Sequence, residues 1–242
     1  MLTKAQAKYI QNLGHKKLRE NEKLFVAEGP KLVLELLKES TISLHSAFAT
    51  EAFTAAHPQV ENLVEVSEAE LERISFLSTP NQVLALFQKP IFPKLPSFHH
   101  QVSLMLDTIQ DPGNMGSILR IADWYGIKNI ICSKDSADVF NPKVIQSTMG
   151  SIARVHVRYE DLEVFIKEND LPPVYVTALR GKSVFEIDPL KEAIILIGNE
   201  SKGVSENLLK LATETITIPR KGRAESLNAA VATGIVLSHL IR

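Results

Sequence analysis

The sequence predicts an α/β protein in two parts, a small N-terminal α/β domain and a larger C-terminal domain built on a parallel sheet. Three observations carry that expectation. Short apolar runs of β character alternate with helical segments, and after residue 100 they become continuous enough to be buried on both faces. Residues 88–100 (QKPIFPKLPSFHH) set Pro90, Pro93 and Pro96 three apart, which forbids a helix and favours a stiff connector. Nine of the 11 glycines follow residue 100, so the second part holds more tight loops or close backbone approaches. The expected division is a domain over 1–88, a Pro-rich linker over 89–100 and a second domain over 101–242.

In the first part, residues 4–18 read as a helix and residues 24–27 (LFVA) as a strand. Gly29-Pro30 opens a helix to Leu37, with Leu32, Val33, Leu36 and Leu37 on one stripe. Strands follow at 46–50 and 63–66. Ser67 with Glu70 makes a capping box for a helix to about residue 75, and 83–87 is a last strand. In the second part, strands are expected at 102–107, 130–132, 155–157, 174–177, 193–197 and 215–218. Helices are expected up to Trp124 and at 142–149, 161–168, 205–211 and 226–241. No repeat or low-complexity tract appears.

Composition narrows the function. With 27 basic and 28 acidic residues the net charge is −1, which argues against a polybasic tail. The balance is local, however. Residues 1–23 carry six basic and two acidic groups, whereas 24–100 carry five and nine. A single cysteine, Cys132, excludes an internal disulfide framework and a cysteine-based zinc cluster, and it fits a reducing compartment. The opening residues have no apolar signal-type run, and residues 229–241 are too short for a transmembrane helix. A soluble, cytoplasmic protein without a metal is expected.

Ligands of parallel sheets sit beyond the carboxyl ends of strands, which singles out three loops. Residues 106–127 (LDTIQDPGNMGSILRIADWYGI) leave a strand and open a helix without the glycine pattern of a dinucleotide fingerprint or a P-loop. The plain reading there is an N-capping Asn114 and a solvated Arg120. The functional reading is an arginine held over a glycine-lined opening that a phosphate or ribose can approach. Residues 193–205 (AIILIGNESKGVS) run from a buried strand into Gly198, Asn199 and Glu200, then Gly203. The two glycines would let a ligand lie on bare backbone. Residues 216–241 carry Pro219, the basic trio Arg220, Lys221 and Arg223, and then Ser226-Leu227-Asn228 before an Ala-rich helix. Ser226 would cap that helix, which leaves the adjacent basic loop unexplained.

Together these loops resemble the three motifs of the SpoU (TrmH-like) family of RNA ribose 2′-O-methyltransferases, in the SPOUT superfamily. The matching stretches are DPGNMGSILRIADWYG, IGNESKGVS and IPRKGRAESLNAAVA, in the family's order and spacing over residues 103–241. The stretch FVAEGPKLVLELLK resembles the ribosomal-protein-L30e-like substrate-binding domain found in that family. The resemblance implies a deep trefoil knot near the C-terminus, bound S-adenosylmethionine and a homodimer. It also implies that Thr177, Gly198, Asn199, Gly203, Ile218, Pro219 and Leu227 hold the cofactor, with Ile218 and Leu227 flanking the adenine. Arg120, Asn114, Glu200, Ser226 and Asn228 would form the catalytic set.

In such a reaction a ribose 2′-hydroxyl loses its proton as it attacks a methyl group in line, and positioning supplies much of the rate. By resemblance Arg120 activates the hydroxyl. Equally, Arg120 clamps the neighbouring phosphate and stabilises the developing alkoxide, with phosphate or water taking the proton. Asn114 and Asn228 would orient the ribose or Arg120. Ser226 would touch RNA or cofactor, and Glu200 would order the loops or position Asn114. Lys16, Lys17, Arg19, Lys23, Arg220, Lys221 and Arg223 are expected to meet RNA phosphates. Ribosomal RNA is the expected substrate because a separate N-terminal domain is present. The alternatives are a transfer-RNA methyltransferase, a non-catalytic RNA-binding protein that keeps the fold, and a nicotinamide-dependent oxidoreductase, which would lack its glycine fingerprint.

Overall fold

The computed structural model describes residues 2–92, 97–199 and 201–241. Pro93 and Pro96 of the connector, and Glu200, lie outside the described residues. The chain divides into two compact units, residues 2–92 with 138–153, and residues 97–137 with 154–241.

The first unit contains α1 (Lys4–Asn12), α2 (Lys16–Glu22), β1 (Leu24–Glu28), α3 (Pro30–Leu36), β2 (Leu44–Ala49), α4 (Glu51–Ala56), β3 (Leu63–Glu65), α5 (Glu68–Glu72) and β4 (Val83–Gln88). The single helix expected over 4–18 is two helices. The break falls at Gly14, where a Cβ would sit 2.9 Å from the Phe76 ring and 3.1 Å from the Gln11 carbonyl oxygen. The Ser67–Glu70 capping box forms as expected. The short helix α4 carries no capping bond from its Thr50 side chain, and its sequence (EAFTAA) has too little periodicity to be read in advance. The sheet order is β1-β4-β2-β3, with β1 and β2 antiparallel to β4 and β3 parallel to β2.

Residues 138–153 continue this unit, although the position of the connector assigns them to the second domain. Phe140 lies 5.5 Å from the Phe25 ring, which also stacks on Phe87. Asp138 accepts a 2.5 Å hydrogen bond from the Arg19 guanidinium, and Thr41 donates to the Ala153 carbonyl. Within this segment, α7 (Pro142–Thr148) packs on β1.

The second unit contains β5 (Val102–Leu106), α6 (Pro112–Trp124), β6 (Asn129–Ser133), β7 (His156–Glu160), α8 (Leu162–Glu168), β8 (Val174–Ser183), β9 (Ala193–Ile197), α9 (Glu206–Lys210), β10 (Glu214–Thr217) and α10 (Ala229–Leu240). Six parallel strands lie in the order β10-β8-β9-β5-β6-β7. Central β9 is buried throughout, as its AIILI sequence requires. Phe98, Leu162, Phe165 and Leu208 pack on Met105, Ile131, Ile194 and Leu196, which seats α8 and α9 on the sheet. Strand β8 runs six residues past the expected end. It passes Gly181, where a Cβ would collide with the Thr215 carbonyl oxygen. From β5 the chain moves outward through β6 and β7, returns beyond the other side of β5 as β8, and then lays β9 between β5 and β8. The order therefore reverses beside β5, which marks the crevice at the carboxyl ends of β5 and β9 as the place for a ligand.

Candidate active site at the carboxyl ends of the parallel strands

Helix α6 leaves the loop after β5. Its N-cap is Asp111, whose Oδ1 accepts from the Asn114 amide at 2.8 Å, so Asn114 is inside the first turn and is not the cap. Asn228, not Ser226, caps α10. Its Oδ1 accepts from the Ala230 and Val231 amides at 3.0 and 3.2 Å. With Oδ1 committed, its Nδ2 donates to Asn114 Oδ1 at 2.7 Å. One short bond thus joins the first and third sequence motifs and fixes which way both amides face. Both asparagines line a concavity of about 600 Å³ between α6 and α10, together with Ser117, Ile121, Val231 and Gly234.

Arg120 is exposed on α6 and makes no hydrogen bond or ion pair to any described residue. Its helix is anchored at the far end by a fork from Arg154 to the Asp123 carboxylate, with N–O distances of 2.8–3.2 Å. The guanidinium of Arg120 therefore stands free on a fixed support. One turn on, Trp124 is 85% exposed, and Val231 and Leu227 are about half exposed.

The loop after β9 folds on itself. Asn199 and Gly203 exchange backbone hydrogen bonds of 3.1 and 2.9 Å. Asn199 Oδ1 accepts from the Ser201 and Lys202 amides, and its Nδ2 donates to the Thr108 carbonyl at 2.8 Å. Both its side chain and its backbone are therefore used within the protein. The two glycines have different causes. Gly203 has φ +69° with open space around it, so the left-handed backbone requires it. At Gly198 a Cβ would lie 2.5 Å from the Gly203 carbonyl carbon and 2.6 Å from the Val204 nitrogen. The Cβ direction at Gly198 is filled by the chain's own backbone, so close packing within the loop requires glycine there.

The remaining proposed cofactor positions follow β8 and β10. Thr177 donates its hydroxyl to the Leu196 carbonyl at 3.0 Å, tying β8 to β9. Ile218 is partly buried, and residues 219–228, including Pro219, Ser226 and Leu227, are without regular structure and exposed. Of the basic residues, Lys16, Lys17 and Lys23 are exposed in the first unit, and Arg220, Lys221 and Arg223 in the second. Arg19 is corrected. It is 1% exposed, its Nη1 donates to the Leu13 carbonyl at 2.7 Å and its Nη2 to Asp138, so it cannot reach a phosphate.

Sequence reasoning missed Asp107, Thr108, Ser133 and Ser136, which meet behind the site. Small polar residues at strand ends carry no periodic signal, and a positive φ on a threonine has none at all. Among the described residues, no cluster of three or more His, Cys, Asp or Glu has metal-holding geometry, and no helix is long and apolar enough to cross a membrane.

Comparison with known proteins adds to this geometry. Residues 101–238 match the SpoU rRNA Methylase family, and residues 4–85 match the MRM3-like substrate binding domain. The chain is 33% identical over 236 residues to the 23S rRNA (guanosine(2553)-2′-O)-methyltransferase RlmP of Bacillus subtilis, spanning 95% of this chain and 93% of that protein. A putative RNA methyltransferase of the TrmH family from Porphyromonas gingivalis superimposes with a TM-score of 0.85 at 36% identity, covering 100% of this chain and 99% of that one. An AdoMet-bound rRNA methyltransferase from Sinorhizobium meliloti superimposes with a TM-score of 0.86 at 31% identity, covering 99% and 95%. With the family match over more than half its length and all three motif loops gathered at one end of a six-stranded parallel sheet, the chain belongs to the SpoU rRNA methylase family.

Proposed function

We propose that the protein methylates a ribose 2′-hydroxyl of large-subunit ribosomal RNA, with S-adenosylmethionine as the methyl donor. The observation that carries this reading is the Asn228–Asn114 bond, which unites the first and third motifs beside a free, exposed Arg120. The cofactor supplies an activated methyl group. The residues present fit it. Beyond β8, β9 and β10 stand the open backbone of residues 219–228 and the half-exposed Leu227, an apolar surface suited to one face of an adenine. Thr177, Gly198, Asn199, Gly203, Ile218, Pro219 and Leu227 surround that place, with Asn199, Gly198 and Thr177 acting by shaping the loops.

Arg120 holds the phosphate next to the target ribose and stabilises the 2′-oxygen as its proton leaves. A guanidinium stays protonated in proteins, so phosphate or water takes that proton. Asn114 and Asn228 orient the ribose, and Ser226 contacts RNA or cofactor. Lys16, Lys17 and Lys23, with Arg220, Lys221 and Arg223, attract RNA phosphates without reading sequence.

The first domain (1–88) is read as an L30e-like RNA-binding module, joined by a linker (89–100) to the methyltransferase domain (101–242). Laying β9 between β5 and β8 after β8 is in place supports a knotted passage of the chain. The exposed Trp124 and Val231 on the helices that frame the α6–α10 concavity support a homodimer through that face. Place of action is the cytoplasm, and 23S RNA is preferred to transfer RNA because the relatives from Bacillus subtilis and Streptomyces viridochromogenes are named for 23S rRNA targets.

The test is transfer of tritium from labelled S-adenosylmethionine to total RNA of a strain lacking the protein, with the modified ribose then mapped. Arg120→Ala should abolish transfer while calorimetry still shows cofactor binding. Normal turnover by that variant would remove Arg120 from the mechanism, and no transfer by the unaltered protein would remove the function.

A further inference from the structure

Thr108, the second residue after β5, has φ +57°. A β-branched residue in the left-handed region is an outlier, and such residues persist only where their surroundings over-determine them. The surroundings here come from two other loops, those after β6 and β9. The Thr108 amide donates to Ser133 Oγ at 2.8 Å, at the end of β6. Its carbonyl accepts from Asn199 Nδ2 at 2.8 Å, in the loop after β9. Its hydroxyl donates to Asp107 Oδ1 at 2.9 Å, and the other oxygen of that carboxylate accepts from the Ser205 amide, at the cap of α9. Ser136 continues the junction. It lies 3.0 Å from Ser133 Oγ and accepts from the amide of the fully buried Ile109. Three residues past Thr108, Asp111 starts the helix that carries Asn114 and Arg120.

We infer that Thr108 is a positioning residue for methyl transfer, held by Ser133 and Asn199, that fixes the start of α6 against the loop after β9. The helix bearing the RNA-facing groups and the loop proposed to hold the cofactor are thereby set to one separation. In-line transfer needs that separation, since a displacement of about 1 Å can cost about a hundredfold in rate.

The inference rests on the methyltransferase reading, and tritium transfer by the unaltered protein must first be observed. Thr108→Gly relieves the backbone and keeps both main-chain bonds, while freeing the loop to move. Ser133→Ala removes the acceptor of the Thr108 amide, and Ser133→Thr restores a hydroxyl. Thr108→Gly and Ser133→Ala should each lower kcat by roughly tenfold or more, with the Kd for S-adenosylmethionine within about threefold of the parent. Thr108→Gly should not lower Tm, and Ser133→Thr should recover most of the rate. A kcat within about twofold of the parent in both folded variants would overturn the inference. So would a loss of folding in both, which would leave the junction a role in stability alone. Absence of transfer by the unaltered protein fails the functional reading itself and is distinct from either result.

Discussion

Two stretches of the second unit face the same crevice and are built in opposite ways. In residues 107–111 the backbone is tied down by side chains of two other loops, so that even a strained Thr108 is held in place. In residues 220–228 every residue is exposed, and no backbone amide donates to a described residue. Arg220 makes one bond to the Ala224 carbonyl at 3.1 Å, and the side chain of Asn228 ties the far end to Asn114 and α10. The first stretch is set before any ligand arrives. The second has backbone groups with no donor bond to a described residue, and any ligand that used them would have to supply the ordering entropy. The same contrast recurs among the cations of the first unit. Arg19 is committed inside the fold while Lys16 and Lys17, on the same short helix, face solvent.

The largest expected effect breaks that last contrast. Arg19→Ala leaves Asp138 without its cation in a place only 11% exposed, and removing one partner of a buried pair costs roughly 3–5 kcal/mol. Denaturant unfolding should show that loss, and protease should cut residues 138–153 faster. The exposed Lys16→Ala/Lys17→Ala pair should leave stability nearly unchanged. It should flatten the salt dependence of RNA affinity by about one unit of slope for each phosphate that is no longer neutralised. If Arg19→Ala proves as mild as the lysine changes, the division into buried and exposed cations fails.

Next in size is a matched pair of glycines. Gly198→Ala drives a Cβ to 2.5–2.6 Å from backbone atoms of Gly203 and Val204, which cannot yield like a side-chain end. Overpacking of this kind costs about 1–3 kcal/mol, sometimes more, and should weaken cofactor binding because the loop after β9 must open. Gly222→Ala meets no atom within 4 Å and has no left-handed φ, so its stability should stay within about 0.5 kcal/mol. Equal melting temperatures for the two variants would show the tied and open loops to be alike.

Much of this is legible in the sequence, and the limits have physical causes. Strand β9 reads residue for residue because an unbroken AIILI run has no other comfortable place than a doubly covered sheet. The three motif loops stand out because glycine, proline and asparagine punctuate them. The Ser67–Glu70 box is visible because both partners lie within one turn. Arg19 is misread because its partner, Asp138, is 119 residues away, and no local pattern separates a buried arginine from its lysine neighbours. The helix caps are misplaced by two or three residues, at Asn114 for Asp111 and Ser226 for Asn228, since several good capping residues stand close together. Thr108 is invisible because its conformation is imposed by Ser133 and Asn199, 25 and 91 residues away.

The smallest expected effect is a change of slope, and it measures what a tie costs when its acceptor is charged. Glu28 ends β1 at 4% exposure, with its carboxylate accepting from the Ser75 hydroxyl and, at 2.8 Å, from the Phe76 amide. Burial raises its pKa above the usual carboxylate range, and the two hydrogen bonds only partly offset that. The native protein therefore holds this proton at pH values where the unfolded chain has released it. The stabilisation from Glu28 is complete below the ordinary glutamate pKa and is lost as pH rises through the folded value. Glu28→Gln keeps an acceptor for the Phe76 amide and removes the titration. The stability of the variant relative to the parent should accordingly improve from mildly acidic pH upward and then level off. Urea unfolding at a series of pH values reads the difference directly. A difference that stays flat, or that moves the opposite way, would mean that the hydrogen bonds outweigh dehydration and that a buried carboxylate can hold the turn at residues 75–77 without penalty.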